Sequence, residues 1–353
     1  MLKFLLRRVA LMILTALCLT FIVFYLTHLP PNLEKLARTE ASSRMTDAEV
    51  ASWLVRNGYD RPLLLRYGEW LGVVPDGAGA AAGVPGRCAA PEVRFCGVLQ
   101  GHWGFSTSLR SDVATVLGWS LPATGWLMIW VMIVMVPTAL TLGVLAGMRE
   151  GSRTDRALSA VAIGSAATPE YVSGVVLIAL LGSASTGLSP ILKDWGLLDR
   201  NTLFLGTATS ASTRITFWNF ALPVATIALY GTGYIARMTR ASMAEVMTQQ
   251  YIRTARLKGL GFGTIVLRHA LRNALIAPFT VIMLQFPWLL NGVVIVETLF
   301  NYKGFGWTLV QAAGNNDIDL LLACSVVAVV VVLATQLVSD LGYRLLNPRI
   351  RVT

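Results

Sequence analysis

Six long apolar stretches constrain this chain more than any other feature. A helix of about 20 mostly apolar residues crosses the hydrocarbon core of a bilayer, because its backbone polar groups are all bonded within the segment. Hydrophobic residues make up 55% of the chain and charged residues 14%, against about 25% charged residues in a soluble domain. The sequence therefore predicts an all-α integral membrane protein with six transmembrane helices, at 9–28, 122–147, 157–183, 218–236, 277–299 and 320–343.

Basic residues predict the orientation of this bundle. The first apolar stretch follows Lys3, Arg7 and Arg8, but it is longer than the apolar part of a secretory signal and no small-residue cleavage site ends it. We interpret it as a retained first helix whose N-terminus lies in the cytoplasm. The four segments then placed inside hold sixteen Arg and Lys, whereas the two short outside loops hold four. The positive-inside rule favours this orientation, with both termini cytoplasmic.

The predicted organisation has four parts and one interruption. The parts are the N-terminus with the first helix (1–28), a large extracytoplasmic loop (29–121), a core of five helices (122–343) and a cytoplasmic tail (344–353). A basic hairpin at 237–276 interrupts the core on the cytoplasmic side. That hairpin is far longer than a simple connection between two helices needs to be.

The basic hairpin is the most distinctive local feature. Its part from 251 to 278 contains five Arg and Lys and no acid, and Gly259, Gly261 and Gly263 would let one helix turn into the next. Such a hairpin, apolar toward the bundle and basic outward, could dock on another protein or lie on anionic lipid headgroups. Nucleic acid is disfavoured because no separate soluble domain exists to bind it. The glycines also lack the ending of a P-loop, so no ATP site is visible.

Within this hairpin Thr254 and Ala255 precede Gly259 at the spacing of a known signature, Glu-Ala-Ala followed by three residues and Gly. The chain thereby resembles the inner-membrane permeases of ABC importers. Arg253 replaces the usual Glu and the downstream proline comes late, at Pro278, as is typical of the branch that handles peptides, nickel and related solutes. Matching stretches cover almost the whole chain: LLRRVALMI, YDRPLLLRYGEWL, GHWGFSTS, LPATGWLMI, LPVATIALYGTGYIARMTRASMAEVM, NGVVIVETLFNYKGFGWTLVQA and DLGYRLLNPRIR.

The resemblance implies the type I permease fold of an ABC importer in a bacterial inner membrane. The implied partners are a second homologous permease, two cytoplasmic ATPase subunits and an extracytoplasmic solute-binding protein, with membrane lipid around them and no nucleic acid. This chain would be non-catalytic and would bind no cofactor, while ATP and Mg would lie on the ATPase subunits. Peptides are the commonest cargo of such permeases; nickel, opines, glutathione and oligosaccharides are also carried.

The resemblance also assigns the hairpin a role as the coupling element that docks in a groove of the ATPase. Ala255 would present a small contact surface, Gly259 would allow a sharp turn, and Arg256 with Lys258 would reach acidic or carbonyl groups of the partner. The full set of expected contact residues is Thr254, Ala255, Arg256, Lys258, Gly259 and Leu260. The alternative function is an ion- or proton-coupled secondary carrier or a channel, which would have no need of such a docking loop.

Four polar residues at membrane depth are candidates for the translocation path, because ionisable and polar groups are costly there. Glu170, which follows Pro169, could contact a cationic group of the substrate or hydrogen-bond to a neighbouring helix. Gln285 and Asn291 could line a cavity or serve ordinary helix packing. Glu297 matches an acid common in the family, and it could hold a structural hydrogen bond near the outer mouth.

The extracytoplasmic loop contains an apparent insertion at 76–97, rich in Gly, Ala and Pro in its first half. Cys88 and Cys96 are the only cysteines expected outside the membrane, and an oxidising compartment favours a disulfide between them over two free thiols. The insertion has no His, so no metal site is predicted. The three histidines of the chain are scattered, and no catalytic constellation can be assembled from them.

Overall fold

The computed structural model describes residues 2–42, 44–76 and 95–346. The chain divides into two compact units. The first comprises Met1–Pro122 and Thr308–Leu333, and the second comprises Ala123–Trp307 and Ala334–Thr353. Cys88 lies outside the described residues, as do most of the insertion at 76–97 and most of the predicted cytoplasmic tail at 344–353.

The first unit opens with a long apolar helix and continues in short amphipathic helices. These are α1 Leu2–Thr27, α2 Pro30–Glu40, α3 Asp47–Arg56 and α4 Leu63–Leu71, followed by a two-stranded antiparallel hairpin of β1 Phe105–Ser106 and β2 Ser111–Asp112. Thr46 begins α3 with a capping box to Glu49, which satisfies backbone donors at the helix start. Phe24, Leu36 and Trp70 belong to the buried cluster that packs these elements together.

One buried carboxylate organises the strand hairpin. Ser106 Oγ and Ser108 Oγ donate hydrogen bonds to Asp317 Oδ2 at 2.7 and 2.8 Å, and the Ser108 amide donates to the same oxygen at 3.1 Å. The other oxygen of Asp317 accepts from the Leu320 amide at 3.2 Å. The Phe-Ser-Thr-Ser stretch of the sequence therefore holds the start of the last helix in place through these hydrogen bonds, which is a structural role.

The second half of the chain is built from longer helices. They are α5 Val113–Gly147, α6 Arg153–Ala167, α7 Glu170–Leu177, α8 Leu188–Asp194, α9 Phe217–Met247, α10 Gln250–Leu257, α11 Phe262–Thr264, α12 Leu271–Ala274, α13 Ile276–Leu299, α14 Phe305–Gly314 and α15 Ile318–Leu346. π-helical segments at Ile178–Gly182 and Ile265–Ala270 extend α7 and join α11 to α12. Helix α9 is central to the second unit, since it packs against α6, α7 and α13.

Within the described residues, fewer helices are long and apolar enough to cross a membrane than the six predicted. Three qualify alone, Leu6–Thr27, Val113–Gly147 and Ile318–Leu341, and up to two more if bent pairs count as single spans. The predicted span 157–183 is such a pair, bent by 105° between α6 and α7. Pro169 explains the break, because the residue before it, Thr168, is held extended at ψ 120°.

The other bent pair joins Phe262–Ala274 to Ile276–Gln285 at 50°. Its bend lies before the predicted span 277–299, which the structure places inside the continuous helix α13. The stretch 218–236 lies inside α9, which is not among the candidate spans. The fold class of a helical multi-pass membrane protein is confirmed. The count of six straight helices and the topology around them stay predictions.

Close approach of α5 and α9 depends on glycine, which leads to a first test. A Cβ atom at Gly143 would lie 2.4 Å from Thr239 Cβ and 2.6 Å from the Ala236 carbonyl oxygen. We expect Gly143→Ala to lower the free energy of unfolding by about 1–3 kcal/mol through overpacking. Gly125→Ala, on the same helix but in open space, should be neutral or stabilising by up to about 1 kcal/mol. Thermal unfolding in detergent, followed by tryptophan fluorescence, would compare them; equal effects would contradict the packing account.

Candidate functional site

The basic hairpin forms two helical pieces joined at a glycine, as the sequence predicts. Helix α9 ends at Met247 and α10 runs over Gln250–Leu257. Gly259 then adopts φ +74°, a left-handed conformation that favours glycine. The returning arm passes through the π-helical segment and α12 into α13.

The inner face of the hairpin is closed by packing within the chain. Ile252 and Ala255 are buried in a cluster whose other buried members are Met243, Met247, Ile265, Val266, Ala270 and Ala274. Ser242 Oγ donates to the Ala274 carbonyl oxygen at 2.8 Å, and Asn273 Nδ2 donates to Tyr251 Oη at 2.9 Å. The two arms are therefore fastened to each other and to the end of α9.

This packing corrects one expected contact. Ala255 is only 6% exposed, so its methyl group fills the interior of the hairpin and is not a free contact surface. The space around Gly259 is open, with no atom of the described chain within 4 Å of an added Cβ. The glycine is needed here for the turn, and any close approach would have to come from outside the chain.

The outer face of the hairpin combines cations with an exposed apolar side chain. Arg253, Arg256 and Lys258 are exposed, and among the described residues they form no ion pair. Leu257 between them is 82% exposed, and Leu260 is 39% exposed. Sequence reasoning missed Leu257, although its angular position on α10, far from Ile252 and Ala255, could have revealed it.

An ion pair fastens the hairpin's supporting helix to the start of α6. Arg240 of α9 donates from Nε to Asp155 Oδ1 at 2.6 Å and from Nη2 to Asp155 Oδ2 at 2.8 Å. Asp155 also accepts from the Gly151 amide and from Ser159 Oγ at 2.9 and 3.1 Å. Motion of the hairpin is thus linked to the helix that precedes the 105° bend. No sequence signal pairs these residues, because they lie 85 positions apart.

Glu297 holds a turn within the chain through buried hydrogen bonds. It is fully buried, Thr124 Oγ1 donates to its Oε1, and the Trp307 amide donates to its Oε2 at 3.0 Å. The Phe305 amide donates to Thr124 Oγ1 at 2.7 Å. A Cβ at Gly304 would collide with the carboxylate. Of the two roles considered for Glu297, the structural hydrogen bond is the one that this geometry supports.

The three other path candidates are distributed over α7 and α13. Glu170 is the first residue of α7 and is half-buried, and its Oε1 lies 3.1 Å from the position of a Cβ on Gly292. Gln285 is buried on α13, at 6% exposure. The side chain of Asn291 lies outside the described part of the chain. The structure therefore brings Glu170 next to Gly292 of α13, and it does not bring Glu297 to the same place.

The first unit contains a polar cavity of about 240 Å³. Arg61, Glu69, Glu40 and Asp319 are among its lining residues, and Arg61 pairs with Glu69 at 2.7 Å. Loss of solvent around the carboxyl group, together with the negative charges of Asp319 and then Asp317, raises the pKa of Glu40. The acids Glu40, Asp317 and Asp319 therefore give one side of the cavity a negative charge.

Cysteine placement bears on the predicted disulfide only in part. Cys96 is buried and disulfide-bonded, whereas Cys18 and Cys324 are free. Cys88, the predicted partner, lies outside the described residues. The pairing of Cys88 with Cys96 stays a prediction.

Long apolar helices and a basic hairpin packed against the end of α9 define a helical membrane protein. The comparisons with known proteins agree. Residues 139–352 match the family model described as "Binding-protein-dependent transport system inner membrane component". The chain belongs to this family. It is a permease subunit of a binding-protein-dependent ABC importer, and it is a multi-pass protein of the inner membrane.

Individual relatives match over most or nearly all of the chain. The "Di/tripeptide transport system permease protein DppB" of Pseudomonas aeruginosa (strain UCBPP-PA14) is 31% identical over 360 residues, covering 99% of both chains. The "Dipeptide transport system permease protein DppB" of Escherichia coli (strain K12) is 29% identical over 365 residues, covering 99% of both. The "Probable peptide ABC transporter permease protein y4tP" of Sinorhizobium fredii (strain NBRC 101917 / NGR234) is 33% identical over 256 residues, covering 72% of this chain and 77% of that protein.

Proposed function

We propose that this permease imports short peptides, and that it forms one half of a pore completed by a second, homologous permease. Two cytoplasmic ATPase subunits would bind and hydrolyse ATP with Mg, and this chain would bind neither. The peptide cargo is supported by the names of the relatives, which are peptide permeases from three genera. An ion-coupled carrier is not favoured, because it offers no role for the hairpin.

The observation that carries this proposal is the outer face of the hairpin. Exposed cations surround Leu257, an apolar side chain that is 82% exposed on a segment outside the candidate spans. Apolar side chains exposed among polar and charged ones mark protein–protein or membrane interaction sites, and the family to which the chain belongs makes an ATPase the partner that we propose. We assign the ATPase contact to Thr254, Arg256, Leu257, Lys258, Gly259 and Leu260, while Ala255 supports them from inside.

The way in which this contact drives transport follows from the packing behind it. The buried cluster and the Ser242–Ala274 hydrogen bond make the hairpin one rigid piece with the end of α9. The Arg240–Asp155 pair links that piece to α6 and hence to the bend before α7. Movement of a docked ATPase would then reorient packed helices between two discrete states, as alternating access requires.

On the other side of the membrane, the first unit would receive the solute-binding protein. Its negative cavity and amphipathic helices α2 to α4 supply a polar surface outside the apolar span α1. In this arrangement residues 29–121 form the large extracytoplasmic loop, and the core 122–343 forms the pore. A disulfide between Cys88 and Cys96 would hold the insertion at this surface.

The test is reconstitution with matched glycine variants. We expect the chain, coexpressed with an ATPase and a binding protein, to retain the ATPase in detergent and to drive ATP-dependent uptake of trialanine into liposomes. Gly259→Asp should abolish both. Gly101→Asp is the control, because Gly101 also has a left-handed φ, +85°, and open space around it, but it lies in the first unit.

Two outcomes would contradict the proposal. Equal losses in both glycine variants would mean that backbone strain, and not docking, is responsible. Uptake by the purified chain alone, without ATP, would establish the secondary carrier instead. ATP-driven uptake of another solute but not of trialanine would retain the importer and reject the peptide cargo.

A further inference from the structure

A half-buried acid, Glu170, lies in one of the two bent candidate spans without a side-chain partner among the residues that the structure describes. Glu170 opens α7 directly after the bend, and its backbone carbonyl accepts from Ser173 Oγ at 2.9 Å. Its carboxylate receives no hydrogen bond and no cation from the described residues. Holding a bare charge in a low-dielectric region is costly unless something from outside the chain pairs with it.

The surroundings of Glu170 form a layer between three helices. One turn further along α7, Gly174 packs so closely that an added Cβ would lie 2.4 Å from Leu299 of α13 and 3.2 Å from Thr226 of α9. Tyr230 is one turn from Thr226 on α9, in the direction of Glu170. On α13 the neighbour of Glu170 is Gly292, where an added Cβ would lie only 3.1 Å from the carboxylate oxygen Oε1.

Two aromatic rings complete this layer. Trp288 lies one turn before Gly292 on α13, and the edge of its indole is 3.9 Å from the position of a Cβ on Gly292. Tyr230 stacks on Trp288, with ring centroids 4.4 Å apart and an interplanar angle of 16°. Both side chains are half-buried. The Glu170 carboxylate and the Trp288 indole thus both lie next to Gly292, and Tyr230 stacks on the indole.

We propose that Glu170, Tyr230 and Trp288 form a subsite for the ammonium group of the transported solute. This inference rests on the proposed function, and it names the part of the cargo that the pore recognises. A carboxylate supplies the ion pair, and the faces of tryptophan and tyrosine attract cations. A transition-metal ion is a poor fit, because it needs several nitrogen, sulfur or oxygen ligands. The α-amino group of a peptide has the required charge and size.

The experiment is ATP-driven uptake of trialanine by the assembled importer, with binding protein in excess. We expect Glu170→Gln to lower the maximal uptake rate about tenfold, the order contributed by one hydrogen-bonded charge contact. The trialanine concentration that gives half-maximal uptake is set by the binding protein and should not change. The rate of ATP hydrolysis should also stay unchanged. Glu170→Asp should recover part of the uptake. Trp288→Leu should resemble Glu170→Gln, whereas Trp288→Phe should retain most of the activity.

Controls separate this subsite from a structural role and from the proposed function itself. Asp194→Asn removes an exposed acid at the end of α8 and should leave uptake unchanged. Loss of assembly or of ATPase activity in Glu170→Gln, without recovery in Glu170→Asp, would show that the acid only supports the fold. Wild-type uptake in Glu170→Gln would overturn the subsite while the importer function stands. If the wild type fails to take up trialanine, the proposed peptide function is rejected, and with it the subsite that rests on it.

Discussion

Replacing Arg240 by methionine is expected to lower the free energy of unfolding by about 3 kcal/mol, the lower end of the range for a broken buried ion pair. The side chain of Asp155 is 3% exposed and that of Arg240 is 31% exposed. Removing the arginine leaves the carboxylate buried with only the Gly151 amide and Ser159 hydroxyl as donors. The lower end applies because water partly screens the arginine.

The reverse change should be milder. In Asp155→Asn the half-exposed Arg240 can turn toward water or toward Glu150, whose carboxylate is already 3.8 Å away. We expect a loss of about 1–2 kcal/mol there, from the hydrogen bonds to the charged group. Arg237→Met, an exposed arginine on the same helix without an ion pair among the described residues, should be close to neutral.

Denaturant unfolding of the purified chain in detergent would measure all three variants. The same variants would show whether the pair couples motion as well as stabilising the fold. If it does, Asp155→Asn should assemble and hydrolyse ATP but transport fewer peptides per ATP. Equal free energies of unfolding for Arg240→Met and Arg237→Met would contradict the stabilising role of the ion pair.

The second large effect is expected at the exposed leucine of α10. Burying Leu257 in a partner stabilises the complex by about 2 kcal/mol, and an aspartate there would also carry an unpaired charge into the interface. Leu257→Asp should therefore weaken the ATPase contact at least about thirtyfold and abolish ATP-driven uptake. Its effect on folding should be small, because the side chain is 82% exposed in the chain alone.

Leu99→Asp is the matched control for this variant. Leu99 is 66% exposed and lies in the first unit, on the side predicted to be extracytoplasmic. The same substitution there should leave ATPase binding unchanged. Titration of the ATPase onto the detergent-solubilised permease would give both affinities. Equal affinities for Leu257→Asp and the wild type would remove the docking surface from α10 and favour its contact with lipid.

The sequence predicted what depends on short stretches of chain. The membrane class follows from runs of about 20 apolar residues, because a bilayer imposes that length on any spanning helix. The turn of the hairpin follows from Gly259, because a left-handed residue is inexpensive only for glycine. Both features are decided within one or two helical turns of the residues concerned, so local patterns suffice.

The site was predicted less completely than the fold class. Leu257 was not singled out on α10, because periodicity indicates which residues share a face but not which neighbours cover it. Glu297 could have faced a pore or a turn, and only the position of Thr124, 173 residues earlier in the chain, decided for the turn. The span at 157–183 bends at Pro169, between α6 and α7. Apolar length alone does not predict this bend.

By itself, then, the sequence determined that this chain is helical, lies in a membrane and presents a basic hairpin turned at Gly259. Only the tertiary structure decided that Asp155 meets Arg240, that Glu297 holds the turn at Gly304, and that Glu170 and Trp288 both lie next to Gly292. The physical reason is the same in each case. A buried charge is stabilised by the groups that the fold brings to it, and those groups lie tens to hundreds of residues away along the chain.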